Sequence, residues 1–264
     1  MDIRTLTPTV CRLMGLSLPA ASIPDLQQGL IDTLSREGIS NITRCLVYAP
    51  DAIGRTIHNL YPGYFTEMEK VVRHRENLNS IFPPWTPVCF ASLFSGSLPE
   101  QHGIQKYERP VLKIDTLFDV LPRHGKRAVI VTVKNSSMDL IFRNRDIDYF
   151  IEPEDTSVIE KALSLLEEDK HDFLAVYNDE YDNLLHKTHP YSIECLEALR
   201  HHNDAFLRLY KALVNYWEPH NWLLVYAPDH GAHFDEVDKV GTHGQNIPED
   251  MELIHYYAYQ KKPV

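Results

Sequence analysis

Residues 221–234 read NWLLVYAPDHGAHF. The run Trp222-Leu223-Leu224-Val225-Tyr226 is apolar without alternation, which suits a strand buried on both faces in a parallel sheet. It stops abruptly at Pro228-Asp229-His230-Gly231. Alone, that ending reads as a polar turn. An acid beside an imidazole is also a pair of metal ligands, and the choice depends on what stands at the other strand ends.

Four more apolar runs occur. Arg44 to Ala49 leads into Pro50-Asp51, and Arg127 to Val133 follows His124-Gly125-Lys126. Asp172 to Tyr177 leads into Asn178-Asp179, and Ile254 to Tyr259 lies near the C-terminal end. Helical patterns separate them. Ile23 to Arg36 carries Leu26, Leu30 and Leu34 at i, i+4 and i+8, with Ser22 as N-cap and Pro24 in the first turn. Thr116 to Leu121, Thr156 to Glu168 and Ser192 to Tyr216 read as further helices. This alternation predicts an α/β fold, a three-layer α/β/α sandwich with a mostly parallel sheet, whose ligands bind beyond the carboxyl ends of the strands. The chain reads as one domain, 1–264, with a substrate-side excursion over 54–84 that is rich in aromatics and prolines.

Composition narrows the function classes. A formal net charge of −11 gives no basic footprint for nucleic acid. Cys11, Cys45, Cys89 and Cys195 are scattered without a CxxC, so they suggest neither a disulfide framework nor a zinc ribbon. No apolar run is long enough to span a membrane. The opening MDIRTLTPTVCRLMG lacks the apolar core of a signal peptide, so a cytoplasmic location is expected.

The strand ends carry a recurring chemistry. Asp51 follows the first run, Asp182 and His186 follow the third, and Asp229-His230 and then Gly241-Thr242-His243-Gly244 follow the fourth. Each alone is weak. Together, carboxylates and imidazoles on one sheet edge, without thiolates, suit zinc or manganese.

The segment from Thr86 to Ile104, TPVCFASLFSGSLPEQHGI, makes this specific. It resembles the nucleophile segment of the alkaline phosphatase superfamily, and most closely the branch of type I phosphodiesterases and nucleotide pyrophosphatases. Asp51, the D-x-x-x-H of Asp182 and His186, the D-H-G of Asp229 to Gly231 and the G-T-H-G of Gly241 to Gly244 follow the order of that family's motifs. The resemblance implies one metal on Asp182, His186 and His243. It implies a second on Asp51, Asp229 and His230, with Thr86 beside it as nucleophile. The cofactors expected are therefore two divalent ions, zinc or else manganese. Three protein ligands per ion leave a position open for substrate or water.

The implied activity is hydrolysis of a small-molecule phosphate ester or nucleotide through a phosphothreonine or nucleotidyl-threonine intermediate. Phosphomonoesterase or phosphonate hydrolase activity is the nearest alternative, and a metal-binding relative without turnover is the alternative from another class. The candidates for a second group on the phosphoryl oxygen are Cys89, a weak donor, and Lys134 after the Arg127–Val133 run. His102 reads as a turn residue, and His201 and His202 as surface positions within a helix. His189 and His233 lie next to proposed ligands in sequence. The opening DIRTLTPTVCRLMGLSLP is similar to a segment that many family members carry after the last metal histidine. The N-terminal helix is thus expected beside the last strand, as in a circular permutation, unless the match is a chance helix opened by Thr-Pro-Thr.

Overall fold

The computed structural model describes residues 1–263. Among the described residues nine strands occur in chain order: β1 (Arg44–Pro50), β2 (His74–Asn79), β3 (Ala128–Val133), β4 (Asp148–Glu152), β5 (Phe173–Asn178), β6 (Trp222–Tyr226), β7 (His233–Phe234), β8 (Gly241–Thr242) and β9 (Glu252–Gln260). Seven of them form one sheet in the order β2-β9-β6-β1-β5-β3-β4, while β7 and β8 make a short ribbon. β6, β1, β5, β3 and β4 are parallel, whereas β9 is antiparallel to β6 and β2 antiparallel to β9. β1 sits centrally, with Val47 opposite both Ala175 of β5 and Val225 of β6.

The unbroken apolar runs have a structural reason. Alternate residues of each strand enter two separate cores. Val47, Ala175 and Val225 pack with the helices Leu6–Met14, Thr86–Ser95 and Leu117–Arg123 on the front. Leu46, Val176 and Leu224 pack with the helices Asp155–Glu168 and Ile193–Tyr216 on the back. This is the three-layer sandwich the pattern predicts.

Several elements depart from expectation. The helix expected from Ile23 begins at Gln28. Residues 22–27 are held crosswise first: Ile23 N–H donates to Gly96 O, and Gln27 N–H to Thr9 Oγ1 at 2.9 Å. Ser22 Oγ donates to Ile23 O and caps nothing. Two strands lack a legible apolar signature because they lie at the sheet edges. β2, HRENLN, buries only Leu78, and its charges protect an open edge. β4 is flanked by Asp148 and Glu152 and is half-buried.

Residues 54–84 hold two short helices, Arg55–Leu60 and Thr66–Glu69, and then β2. Ile57, Phe65 and Met68 in its middle pack into the back core. Its two ends, at Gly54 and at Ser80 to Trp85, are the parts that meet the residues described below.

The N-terminal helix lies against the Thr86–Ser95 helix, with Thr7 Oγ1 donating to Leu93 O at 2.6 Å. Gln27 ties it to the last long strand, since its Nε2 donates to Thr5 Oγ1 and its Oε1 accepts from Tyr257 of β9. The N-terminal helix itself packs on the Thr86–Ser95 helix, and among the described residues its hydrogen bonds reach the last strand only through Gln27.

The front core is anchored by three mutually packed rings, with centroids 4.8 Å apart for Phe94–Phe118, 4.9 Å for Phe118–Phe142 and 5.5 Å for Phe94–Phe142. Phe118 is wholly buried. Phe118→Ala is expected to cost about 3–5 kcal/mol of unfolding free energy. A chemical denaturation midpoint unchanged from wild type would contradict that role.

Candidate metal centre and nucleophile

Each site residue stands where a strand or helix ends. Asp51 directly follows β1, with its N–H donating to Asn178 O of β5 at 3.0 Å. Ala52 then turns the chain in the left-handed region at φ 63°. Asp182 lies in the helix Glu180–Leu185 after β5, and His186 closes that helix. Asp229 and His230 follow β6, and His243 follows β8. Thr86 is the first residue of its helix, with Pro87 next. β6, β1 and β5 are neighbours, so their carboxyl ends bring these loops to one edge of the sheet.

The residues converge into two triads. In Asp182, His186 and His243, and likewise in Asp51, Asp229 and His230, the ligand atoms lie within 4.8 Å of one another. The triads adjoin, because the His230 and His243 rings stack at 4.0 Å. His230 Nε2 is 3.3 Å from Asp51 Oδ1 and 3.5 Å from Asp229 Oδ2. Asp182 Oδ1 is 3.3 Å from His186 Nε2 and 3.4 Å from His243 Nε2.

The backbone fixes how the rings face. His186 Nδ1 bonds Gly241 O at 3.1 Å, His230 Nδ1 bonds Gly231 O at 3.0 Å, and His243 Nδ1 bonds Pro84 O at 2.8 Å. Since a carbonyl only accepts, each Nδ1 carries the hydrogen and each Nε2 is turned toward the carboxylates. This is the outer-shell arrangement that orients metal-binding imidazoles.

The donor set fits divalent cations. Asp51 Oδ1, Asp182 Oδ1 and Asp229 Oδ2 are buried and have no hydrogen-bond partner. Burying a carboxylate oxygen without a partner is costly unless a cation meets it. Protonation behaviour agrees. Burial, then the charges of Asp229 and Asp182, push the Asp51 carboxyl well above its ordinary range. Burial pushes Asp229 up to about 7. Burial and the neighbouring His243 keep His230 neutral, as a ligand must be. Asp182 goes the other way. Burial opposes its ionisation, but contact with the His186 and His243 imidazoles, by hydrogen bonding first and by charge where they are protonated, holds it low.

Thr86 faces the second triad. Its Oγ1 lies 3.1 Å from His230 Nε2 and 3.4 Å from Asp51 Oδ2. Tyr177 of β5 also donates to Asp51 Oδ2, leaving Oδ1 free on the triad side. The glycine of the D-H-G sequence serves close packing: a Cβ on Gly231 would lie 2.0 Å from Glu249 O and 3.0 Å from Gly54 Cα.

Other expectations fare differently. Cys89 lies buried one turn into the helix, with Sγ 3.1 Å from Ser80 Oγ. Ser80 in turn donates to Asp229 O at 2.6 Å, so Cys89 supports the floor beneath Asp229. Lys134 is exposed after β3, two strands from β1, and bonds no triad residue. His202 is buried, not at the surface: its Nδ1 bonds Tyr48 Oη at 2.9 Å and its Nε2 accepts from Tyr181 N–H at 3.3 Å. His102 serves its turn by accepting from Ile104 N–H, and His233 Nδ1 pairs with the buried Asp250 at 2.7 Å.

Tyr107 escaped the sequence reading. Burial raises its hydroxyl, Arg109 lowers it, and the charges of Asp182, Asp51 and Asp179 raise it further. Those charges put the hydroxyl within electrostatic range of both triads; the residue is 59% exposed, with the Arg109 guanidinium 5.8 Å from its ring. It lies in an irregular loop, where no periodicity marks it.

No family model and no curated protein matches this chain. Solved structures do. Phosphonoacetate hydrolase from Sinorhizobium meliloti 1021, in complex with phosphonoformate, superposes with a TM-score of 0.54 at 14% identity, covering 72% of this chain and 56% of that one. Human ectonucleotide pyrophosphatase/phosphodiesterase 5 gives 0.59 at 14%, covering 74% and 59%. An inactive Thr-to-Ala variant of the murine protein, in complex with AMP, gives 0.55 at 17%, with the same coverage. The likeness establishes an alkaline-phosphatase-like α/β fold for this chain. The chain spans a little over half the length of these structures.

The crowded carboxylates predict a pH signature. A carboxyl raised in the fold stabilises it at pH below the unfolded value near 4, and that contribution is lost as pH rises through about 7 for Asp229. In chelator-treated protein, Asp229→Asn is expected to gain stability over wild type as pH rises from 4 to 8. Added zinc should reverse the order, because the variant lacks a ligand. Melting curves that run parallel across that pH range would contradict the assignment.

Proposed function

We propose that this protein is a two-metal hydrolase of phosphate esters, of phosphodiesterase or nucleotide pyrophosphatase type, acting through a covalent intermediate on Thr86. The observation that carries the reading is the position of Thr86: a hydroxyl at a helix start, within 3.4 Å of Asp51 and His230, beside two adjoining Asp/His triads. The inactive Thr-to-Ala variant of the murine neighbour, solved with AMP, supports a threonine in this role.

Asp51, Asp229 and His230 would hold one divalent ion, and Asp182, His186 and His243 the other. Zinc suits these ligands, and manganese is the alternative. When bound, such ions supply positive charge to the phosphoryl oxygens and make hydroxyls more acidic.

The chain's own groups do the rest. Thr86 Oγ attacks phosphorus as the bond to the leaving oxygen breaks, and its proton passes toward Asp51 Oδ2. The start of the helix presents its positive end to the phosphoryl group. Tyr107 donates to a phosphoryl oxygen, the place for which Cys89 and Lys134 were candidates. Water then attacks phosphorus, the Thr86 Oγ–P bond breaks, and Thr86 recovers its proton. The expected substrate is a small phosphate ester or nucleotide. Four free, buried cysteines fit a reducing compartment such as the cytoplasm.

A second reading is hydrolysis of a phosphonate, favoured by the likeness to a phosphonoacetate hydrolase. Assays with bis-p-nitrophenyl phosphate, p-nitrophenyl phosphate and a phenylphosphonate ester, each with zinc and with manganese, separate the readings. The diester is expected to turn over fastest. Metal binding with turnover of none would mean a binding protein.

Thr86→Ala is expected to lower kcat by at least roughly 10³-fold while metal content stays at wild-type level. Wild-type turnover in that variant would refute the covalent route. Tyr107→Phe is expected to lower kcat by about 10²-fold with little change in metal content. An unchanged kcat would remove Tyr107 from the site.

A further inference from the structure

A cavity of about 710 Å³ opens in the back layer, and none of the six triad residues lines it. The helices Asp155–Glu168 and Ile193–Tyr216 form its walls and Glu180–Leu185 its roof. Tyr48 of β1 and Asn178 of β5 reach it from the sheet.

Its inner polar groups are acceptors in want of donors. Asn178 is 1% exposed, and its Oδ1 has no hydrogen-bond partner. Asp155 takes the N–H groups of Asp179 at 3.1 Å and Glu180 at 3.0 Å, one on each oxygen, and each oxygen keeps a lone pair. Asp179 takes one amide hydrogen from Asn183 at 2.7 Å. Burial and the charge of Asp155 push Asp179 up to about 7, the behaviour of a carboxylate short of positive charge. Of the basic side chains that line it, Arg208 bonds Glu160 outside the cavity at 2.6 Å, and the His201 ring lies 3.0 Å from Glu180 on the cavity wall. Lys187 lowers Asp179 only in part. Val133, Ile159 and Leu184 give the cavity apolar walls that a bare metal ion would leave uncovered.

We infer that this cavity binds a small organic cation with a primary ammonium group. Its three N–H donors go to Asn178 Oδ1, Asp155 and Asp179, and its carbon chain lies along Ile159 and Leu184. Asp179 directly precedes the helix that carries Asp182, so an occupant bears on the same element as the candidate metal centre.

Calorimetric titration of the metal-loaded protein with putrescine tests this. Saturable binding of one equivalent is expected. Asn178→Leu, which removes the orphan acceptor, should weaken it about tenfold or more, and Ala205→Phe, which fills the cavity, should abolish it. Asp204→Lys, on the exposed rim, repeats the test without disturbing the interior and should weaken binding several-fold. Absence of saturable heat, equal affinity in all three variants, or the same isotherm from magnesium chloride at equal ionic strength would overturn the inference.

Discussion

Like charges in a buried place dominate this structure. Asp51, Asp182 and Asp229 meet at one edge of the sheet, each with a buried oxygen that no protein group satisfies. At an effective protein dielectric near 20, two such charges about 4 Å apart repel by roughly 4 kcal/mol. The surrounding imidazoles offer lone pairs, because the backbone holds their hydrogens on the far side. On the proposed reading, cations offset that repulsion, and the rest of the architecture holds the carboxylates in place. The parallel strands β6, β1 and β5 set the three aspartates side by side, and the two cores lock those strands from both faces.

Much of this could be read in the sequence. An apolar run that ends in an acid reports a parallel strand reaching a site, and Asp51 and Asp229 announced themselves in that way, while Asp182 was chosen over Asp179 by its spacing to His186. Thr86 was picked out by the resemblance of Thr86 to Ile104 to a known nucleophile segment, and the structure places it at the start of a buried helix. His186 was legible through spacing, since it stands four positions after Asp182, about one helical turn, which sets both on one face; His230 and His243 were legible only through the D-H-G and G-T-H-G motifs.

The rest was illegible for physical reasons. β2 and β4 lie at the edges, where charged side chains are needed and periodicity fades. The start of the helix Gln28–Arg36 depends on cross-chain bonds to Gly96, Thr5 and Thr9, which no local pattern encodes. His202 looked like a surface residue within a helix because its partners, Tyr48 and Tyr181, come from distant elements. Cys89 and Lys134 were chosen by sequence neighbourhood, and rotation about the helix and distance along the sheet took them elsewhere.

The central claim is that the two triads hold a pair of metal ions beside Thr86. Anomalous diffraction from crystals grown with zinc or manganese tests it most directly. The account predicts two peaks, one within Asp51, Asp229 and His230 and one within Asp182, His186 and His243, with Thr86 Oγ directed at the first. A single peak, or two peaks outside these triads, would contradict it.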